Sequence, residues 1–162
     1  MKTLFTLSIC MTVLLACSDT SKQNASSSEK VSESQTLETS AVEAYMQLKD
    51  ALVQTDASAA KEAAMKLSSA FSSEKMETVL IKAAEVIASS DDVEIQRASF
   101  KTVTDGLIVA LKANEKEDGV FIQYCPMAFD NTGASWLSLS DQIRNPYFGD
   151  RMLKCGAVTE EL

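Results

Sequence analysis

Residues 78–113 read TVLIKAAEVIASSDDVEIQRASFKTVTDGLIVALKA, and this stretch decides the fold class. Two runs of apolar side chains at three- and four-residue spacing flank a polar break at residues 89–92. Such spacing is typical of amphipathic helices. Asp91, followed three residues later by Glu94, resembles a capping box that starts the second run. The stretch therefore predicts two helices, one ending at Ser89-Ser90 and one continuing to about Ala113.

The same pattern extends toward the N-terminus. Residues 38–54 carry small or apolar side chains on one helical face, and a second stripe continues to about Phe71. Asp56 or Ser58 could cap this second helix. Because breaks of two to four residues join antiparallel neighbours, the four segments should run up, down, up and down.

The predicted fold class is therefore all-α. We expect an up-down four-helix bundle over residues 38–114 and an irregular C-terminal cap over residues 115–162 of the same domain. Val120 to Tyr124 favour an extended run, since proline biases the residue before it away from helix. A short terminal helix could begin at Asp150.

Residues 1–16 have the pattern of a secretory signal, with a basic start and a short apolar run. The run ends at Cys17 in a sequence that resembles a bacterial lipoprotein cleavage box, and an ordinary signal peptide is the alternative. We expect lipidation of Cys17 and a disordered tether over residues 17–37, which are strongly polar. The protein would then be lipid-anchored in the cell envelope and face the periplasm.

Composition excludes several classes of function. The chain has 15 basic and 23 acidic residues, and loss of Lys2 with the signal would leave 14 against 23, a net charge of −9. Nucleic acid is therefore not an expected partner. The chain has no histidine, which removes the usual hydrolytic triads and imidazole metal sites. We predict that the protein is not an enzyme and assign no catalytic residue.

Cys125 and Cys155 are the two cysteines of the predicted domain. One interpretation is a structural disulfide, which an oxidising envelope would permit. The other is a soft-metal site for Cu(I) or Ag(I), with the thioethers of Met127 and Met152 as additional ligands. Core packing is the alternative role of these methionines. The two interpretations can coexist, since reduction of a disulfide would free the thiolates.

Aromatic and polar side chains surround the cysteines in sequence. They could line a site, with the rings stacked over a metal or a cationic ligand, or could instead fix an irregular segment onto the helices. The candidates are Tyr124, Trp136, Asn145, Tyr147 and Phe148.

Several motifs resemble one family of domains of unknown function, DUF3347. The C-terminal ones are YCPMA (124–128), GAxWLS (133–138), IxNPYFG (143–149) and MLxCG (152–156), and weaker ones are YxxLKxAL (45–52) and QRxxF (96–100). The resemblance covers about residues 41–160. It implies a cell-envelope protein, found alone behind a lipoprotein signal or appended to periplasmic adaptors of copper and silver efflux pumps. The implied setting is heavy-metal handling, with such an adaptor as a partner.

Two functions follow as expectations. The first is a tethered periplasmic lipoprotein that binds or handles Cu(I) or Ag(I) for heavy-metal efflux. The second is a disulfide-stabilised interaction or adaptor module of an envelope assembly that holds no metal.

Overall fold

The computed structural model describes residues 33–114 and 119–162. Its elements are α1 (Glu33–Val53), α2 (Ala57–Ser73), α3 (Thr78–Ser89), α4 (Val93–Asn114), β1 (Phe121–Cys125), a single turn α5 (Ala128–Asn131), β2 (Ala134–Ser138), a 3₁₀ helix (Gly149–Met152) and β3 (Ala157–Glu161). The predicted signal segment, Cys17 and most of the predicted tether lie outside the described residues. Helix α1 begins within the last five residues that the sequence assigns to the tether.

The four long helices are largely those that the apolar spacing predicts, and each packs on the next one in the chain. Asp56 caps α2 by accepting a 2.9 Å hydrogen bond from the Ala59 backbone N–H. The predicted cap of α4 is wrong by one residue. The carboxylate of Asp92, not Asp91, accepts from the backbone N–H of Glu94 at 2.8 Å, whereas Asp91 forms an ion pair with Lys61.

One buried residue joins α1, α4 and the C-terminal region. The Tyr45 hydroxyl hydrogen-bonds Thr104 of α4 at 2.8 Å and accepts the Leu137 backbone N–H of β2 at 3.1 Å. Its ring stacks on Phe100, with the centroids 5.1 Å apart. These contacts close the helical core against the sheet.

The prediction of a purely all-α fold is wrong, because residues 121–161 form a three-stranded antiparallel sheet in the order β2-β1-β3. Strand β2 packs on α4 and α1, with Trp136 and Leu137 fully buried. The predicted terminal helix is only a four-residue 3₁₀ helix, and β3 follows it. Every residue of β3 is exposed. The strand therefore has no buried face that would require alternating apolar residues, which are the usual sequence signal of a strand.

Within the described residues, none of the helices combines the length and apolar character needed to cross a membrane.

Candidate functional site

The two cysteines meet because β3 pairs with β1. Cys125 is the last residue of β1, and Tyr124 lies opposite Ala157 in the antiparallel register. Cys155, two residues before Ala157, is thereby carried to the end of β1. The two sulfur atoms lie 2.7 Å apart, and no disulfide bond joins them in this structure. We call Cys125 and Cys155 the dithiol pair.

The two thiols differ in exposure. Cys125 is fully buried, whereas Cys155 is partly exposed between the 3₁₀ helix and β3. Hydrogen bonding to Cys125 and then burial raise the pKa of the Cys155 thiol, while a hydrogen bond from the Met127 backbone opposes the rise. The pair is thus a buried thiol in contact with one that solvent can reach.

Asn145 fixes the backbone at Cys155. Its side-chain amide donates to the Cys155 carbonyl at 2.8 Å, and its side-chain oxygen accepts the Tyr147 backbone N–H at 2.8 Å. Its own backbone N–H donates to Leu153 at 2.8 Å. Asn145 is buried. It therefore positions the dithiol pair through its hydrogen bond to Cys155 and does not line an open site.

Gly156 allows the chain to approach the sheet at this point. Its φ is +139°, and a Cβ there would lie 2.7 Å from the Trp136 ring and 2.9 Å from the Tyr124 carbonyl oxygen. A larger residue would meet both groups in a backbone conformation that L-residues rarely adopt. The chain's one tryptophan therefore packs directly beside the residue that follows Cys155.

Met127 and Met152 both line a cleft of about 490 Å³. Met127 is 48% exposed and Met152 is half-buried. Neither Cys125 nor Cys155 lines this cleft. Its walls come from α4, the β1–β2 connection and the 3₁₀ helix region, namely Glu94, Arg97, Met127, Ala128, Phe129, Asp130, Asn131, Tyr147, Phe148, Arg151 and Met152. The structure thus brings the two thiols into contact and sets the two methionine side chains on one neighbouring cleft.

The aromatic candidates separate into two groups. Tyr147 and Phe148 line the cleft, and the Tyr147 hydroxyl donates to the Ser135 carbonyl at 2.6 Å. Trp136 is buried, with its ring edge-on to Tyr147 at 6.2 Å. Tyr124 lies against Gly133 on the sheet. Trp136 and Tyr124 therefore support the site through packing and are not among the residues that line the cleft.

One wall of the cleft has an unusual backbone. Phe129, Asp130 and Asn131 have φ values of +50°, +54° and +67°. Left-handed geometry costs roughly 1–2 kcal/mol per non-glycine residue. The turn is closed by the Gly133 N–H, which donates to the Ala128 carbonyl at 2.8 Å. Strain of this kind is concentrated at functional sites, and the sequence gives no signal for it beyond Asn131 and Gly133.

The floor of the cleft is an ion-pair network that no pattern in the sequence indicates. The Glu94 carboxylate lies 2.9 Å from both Arg97 and Arg151. Arg97 is buried, and it also donates to the Pro146 carbonyl at 2.9 Å and the Leu52 carbonyl at 3.2 Å. Arg97 thereby ties α4 to the end of α1 and to the segment that carries Asn145.

Within the described part of the chain, no three Cys, Asp or Glu side chains are grouped so that they could hold a metal ion. A metal at the dithiol pair would therefore be held by two thiolates, with thioethers as candidate additional ligands. Such a donor set matches the preference of Cu(I) and not that of Mg²⁺ or Ca²⁺.

The fold and this geometry define a class: a helical domain whose C-terminal sheet carries a pair of adjacent thiols beside a methionine-lined cleft. The family model described as "Protein of unknown function (DUF3347)" matches residues 41–119. The match covers 79 of the 162 residues and is to the family that the motifs indicate. The match spans the helices from α1 onward and ends before β1, so it does not include either cysteine of the pair. No curated protein and no solved structure is significantly similar to the chain.

Proposed function

We propose that this domain binds a soft monovalent metal ion, Cu(I) or Ag(I), with Cys125 and Cys155 as thiolate ligands. The observation that carries the proposal is the 2.7 Å contact between two cysteine sulfurs that stand 30 residues apart in the chain. Thiolates are the preferred protein ligands of soft metals. The chain has no histidine that would favour a harder divalent ion instead.

The methionine positions support the same proposal. Core packing is a weak explanation for Met127, because about half of its side chain is exposed. Its backbone hydrogen-bonds the Cys155 sulfur, so the residue stands next to the dithiol pair. Met152 begins the turn in which the Cys155 N–H donates to the Met152 carbonyl at 3.1 Å. Both methionines therefore have backbone contacts with Cys155, and we propose their thioethers as additional ligands.

Metal binding requires the pair to open. With bonds of about 2.3 Å to each sulfur and a tetrahedral or wider angle, two thiolates on one ion stand about 3.8 Å or more apart. The sulfurs must therefore separate by about 1 Å. The side chain of Cys155 is the one that moves, since it is partly exposed, whereas Cys125 is buried in the central strand.

The test is Cu(I) titration of the reduced full chain in competition with a chromophoric Cu(I) chelator. The background carries Cys10→Ser and Cys17→Ser, so that the dithiol pair holds the only thiols. We expect one Cu(I) per chain, lost in Cys125→Ser and in Cys155→Ser. Met127→Leu and Met152→Leu should weaken affinity by about tenfold. Met65→Leu is the matched control, because Met65 is equally exposed but lies on α2. Equal uptake by the chain lacking both thiols would contradict the proposal.

A second candidate function is a disulfide-stabilised interaction module without metal. The sulfur contact favours it, since 2.7 Å is shorter than the separation of about 3.8 Å or more that two thiolates adopt on one ion. Thiol titration of the same chain purified without reductant separates the two candidates. Two free thiols with Cu(I) uptake support the metal site, whereas no free thiols and no uptake after reduction leave only the interaction module.

The proposal places the domain in the cell envelope, anchored through lipid on Cys17, where it would pass metal to or buffer metal for an efflux adaptor. The lipoprotein-like sequence before Cys17 supports the anchor, and the family resemblance supports the partner. Cys17→Ser should move the protein from the membrane fraction to the soluble fraction. Retention in the membrane fraction would contradict the anchor and leave the metal proposal standing.

A further inference from the structure

We propose that Cys155 is a thiol–disulfide exchange site, at which an external dithiol protein reduces a Cys125–Cys155 disulfide and so makes the dithiol pair competent to bind metal. The exchange itself rests on the structure of the pair alone. Its regulatory consequence rests on the proposed function.

The proposal follows from the unequal exposure of the two sulfurs. A thiolate that reduces a disulfide must approach one sulfur along the axis of the sulfur–sulfur bond. Cys125 is fully buried at the end of the central strand, so its sulfur is closed to a protein-sized reductant. Cys155 is partly exposed, next to the exposed Lys154. An incoming thiolate can therefore attack only Cys155.

The surroundings of the pair keep Cys155 in place during attack. Its carbonyl is held by Asn145, and its N–H by the Met152 carbonyl. Gly156 behind it is packed against Trp136. The attacked sulfur is thus held at the surface, while the leaving sulfur remains inside.

The chemistry balances in two steps. The first thiolate of the external dithiol bonds to the Cys155 sulfur and breaks the Cys125–Cys155 bond, so that Cys125 leaves as a thiolate and takes up a proton. The second thiol of the reductant then loses its proton and attacks its own partner sulfur, which releases Cys155 as a thiolate that also takes up a proton. Two electrons and two protons pass to the pair, and the reductant becomes a disulfide.

The test is a trapping experiment on the full chain with Cys10→Ser and Cys17→Ser, oxidised so that the pair is bridged. The probe is a thioredoxin-type protein whose second cysteine is replaced by serine, so that it stops at the mixed disulfide. Rapid alkylation and peptide mass spectrometry then locate the bond. We expect the mixed disulfide on Cys155 and the alkyl group on Cys125, with a preference of about tenfold or more.

The control is the same reaction in concentrated guanidinium chloride, where the preference should disappear because it comes from the fold. A mixed disulfide on Cys125, equal labelling of both cysteines in the native chain, or a pair that does not bridge on oxidation would each overturn the inference.

The outcome is separable from that of the proposed function. Protein reduced with a phosphine, which needs no exchange site, is titrated with Cu(I) in parallel. Cu(I) uptake without selective trapping removes only the exchange site, whereas selective trapping without uptake removes only the metal function.

Discussion

The side-chain amide of Asn145 donates a 2.8 Å hydrogen bond to the backbone carbonyl of Cys155. This contact connects the Asn-Pro-Tyr-Phe-Gly segment to the partly exposed thiol of the dithiol pair. The same side chain accepts a hydrogen bond from the Tyr147 N–H, and Tyr147 lines the cleft that Met127 and Met152 also line. One buried residue thus fixes the position of Cys155 relative to the cleft.

Asn145→Asp should weaken this connection selectively. The substitution keeps an acceptor for Tyr147 but sets a carboxylate oxygen against the Cys155 carbonyl. We expect a loss of about 1–3 kcal/mol in the free energy of unfolding, because the Cys155 carbonyl loses its donor. Urea unfolding of the reduced protein measures this loss. Gln142→Ala, at an exposed position nearby, is the control and should leave the urea midpoint unchanged. An unchanged midpoint for Asn145→Asp would show that the contact does not hold the segment.

Oxidation of the dithiol pair should stabilise the fold. A bridge between residues 30 apart restricts the unfolded chain and adds about 3.6 kcal/mol to the free energy of unfolding. The measurement compares urea unfolding of the oxidised and reduced chain, with Cys10 and Cys17 replaced by serine in both. Cys125→Ser/Cys155→Ser in that background should show no response to reductant. A stability difference of that size in the double variant would exclude the pair as its source.

Tyr45→Phe should destabilise the junction of α1, α4 and β2. It removes a hydroxyl that is bonded to buried Thr104 and to the Leu137 backbone N–H. Each group left without a partner costs about 1–3 kcal/mol of the free energy of unfolding. Thermal unfolding measures the effect, and Tyr124→Phe, on the more exposed sheet face, is the matched control. Equal melting temperatures for the two variants would contradict the role assigned to Tyr45.

The stability of the reduced protein should fall in alkaline solution. The pKa of Cys155 is higher in the folded than in the unfolded chain, chiefly through its hydrogen bond to Cys125. The folded state therefore holds this proton more tightly. The stabilisation of the folded state by this proton is complete below the pKa of the unfolded thiol, about 8.5. It is lost as the pH rises through the higher pKa of the folded thiol.

Urea midpoints measured from neutral to alkaline pH test this dependence. The reduced parent chain should lose more stability over this range than Cys155→Ser does, since the variant lacks the thiol. The same slope in both chains would assign the effect to other groups.

The helices were predictable because their apolar spacing repeats over many residues. Each stripe predicts a long element independently of tertiary contacts, as residues 78–113 illustrate. The Asp92 cap was missed because two adjacent aspartates offer equivalent carboxylates. Glu94 does not complete the predicted capping box, because its carboxylate forms ion pairs with Arg97 and Arg151.

The sheet was not predictable in the same way. Strand β3 exposes every side chain, so no burial pattern is present in its sequence. The left-handed turn at 129–131 reverses the chain between β1 and β2, and the sequence signals positive φ there only through Asn131 and the neighbouring Gly133, not at Phe129.

The candidate site was predictable in part. The cysteines and methionines were identifiable from their chemistry and spacing. The contact between the thiols, however, depends on the β1–β3 register, and the cleft depends on Arg97 and Glu94 of a distant helix. These relationships arise from tertiary packing and have no local pattern in the sequence.

X-ray absorption at the copper edge of the Cu(I)-loaded, reduced chain with Cys10→Ser and Cys17→Ser is the most direct measurement of the central claim. It reports the atoms bonded to the metal without relying on a change in affinity. We predict a first shell of sulfur alone in the parent chain, and fewer sulfur ligands after Cys125→Ser. A shell of nitrogen and oxygen, unchanged when both cysteines of the dithiol pair are replaced, would contradict the account.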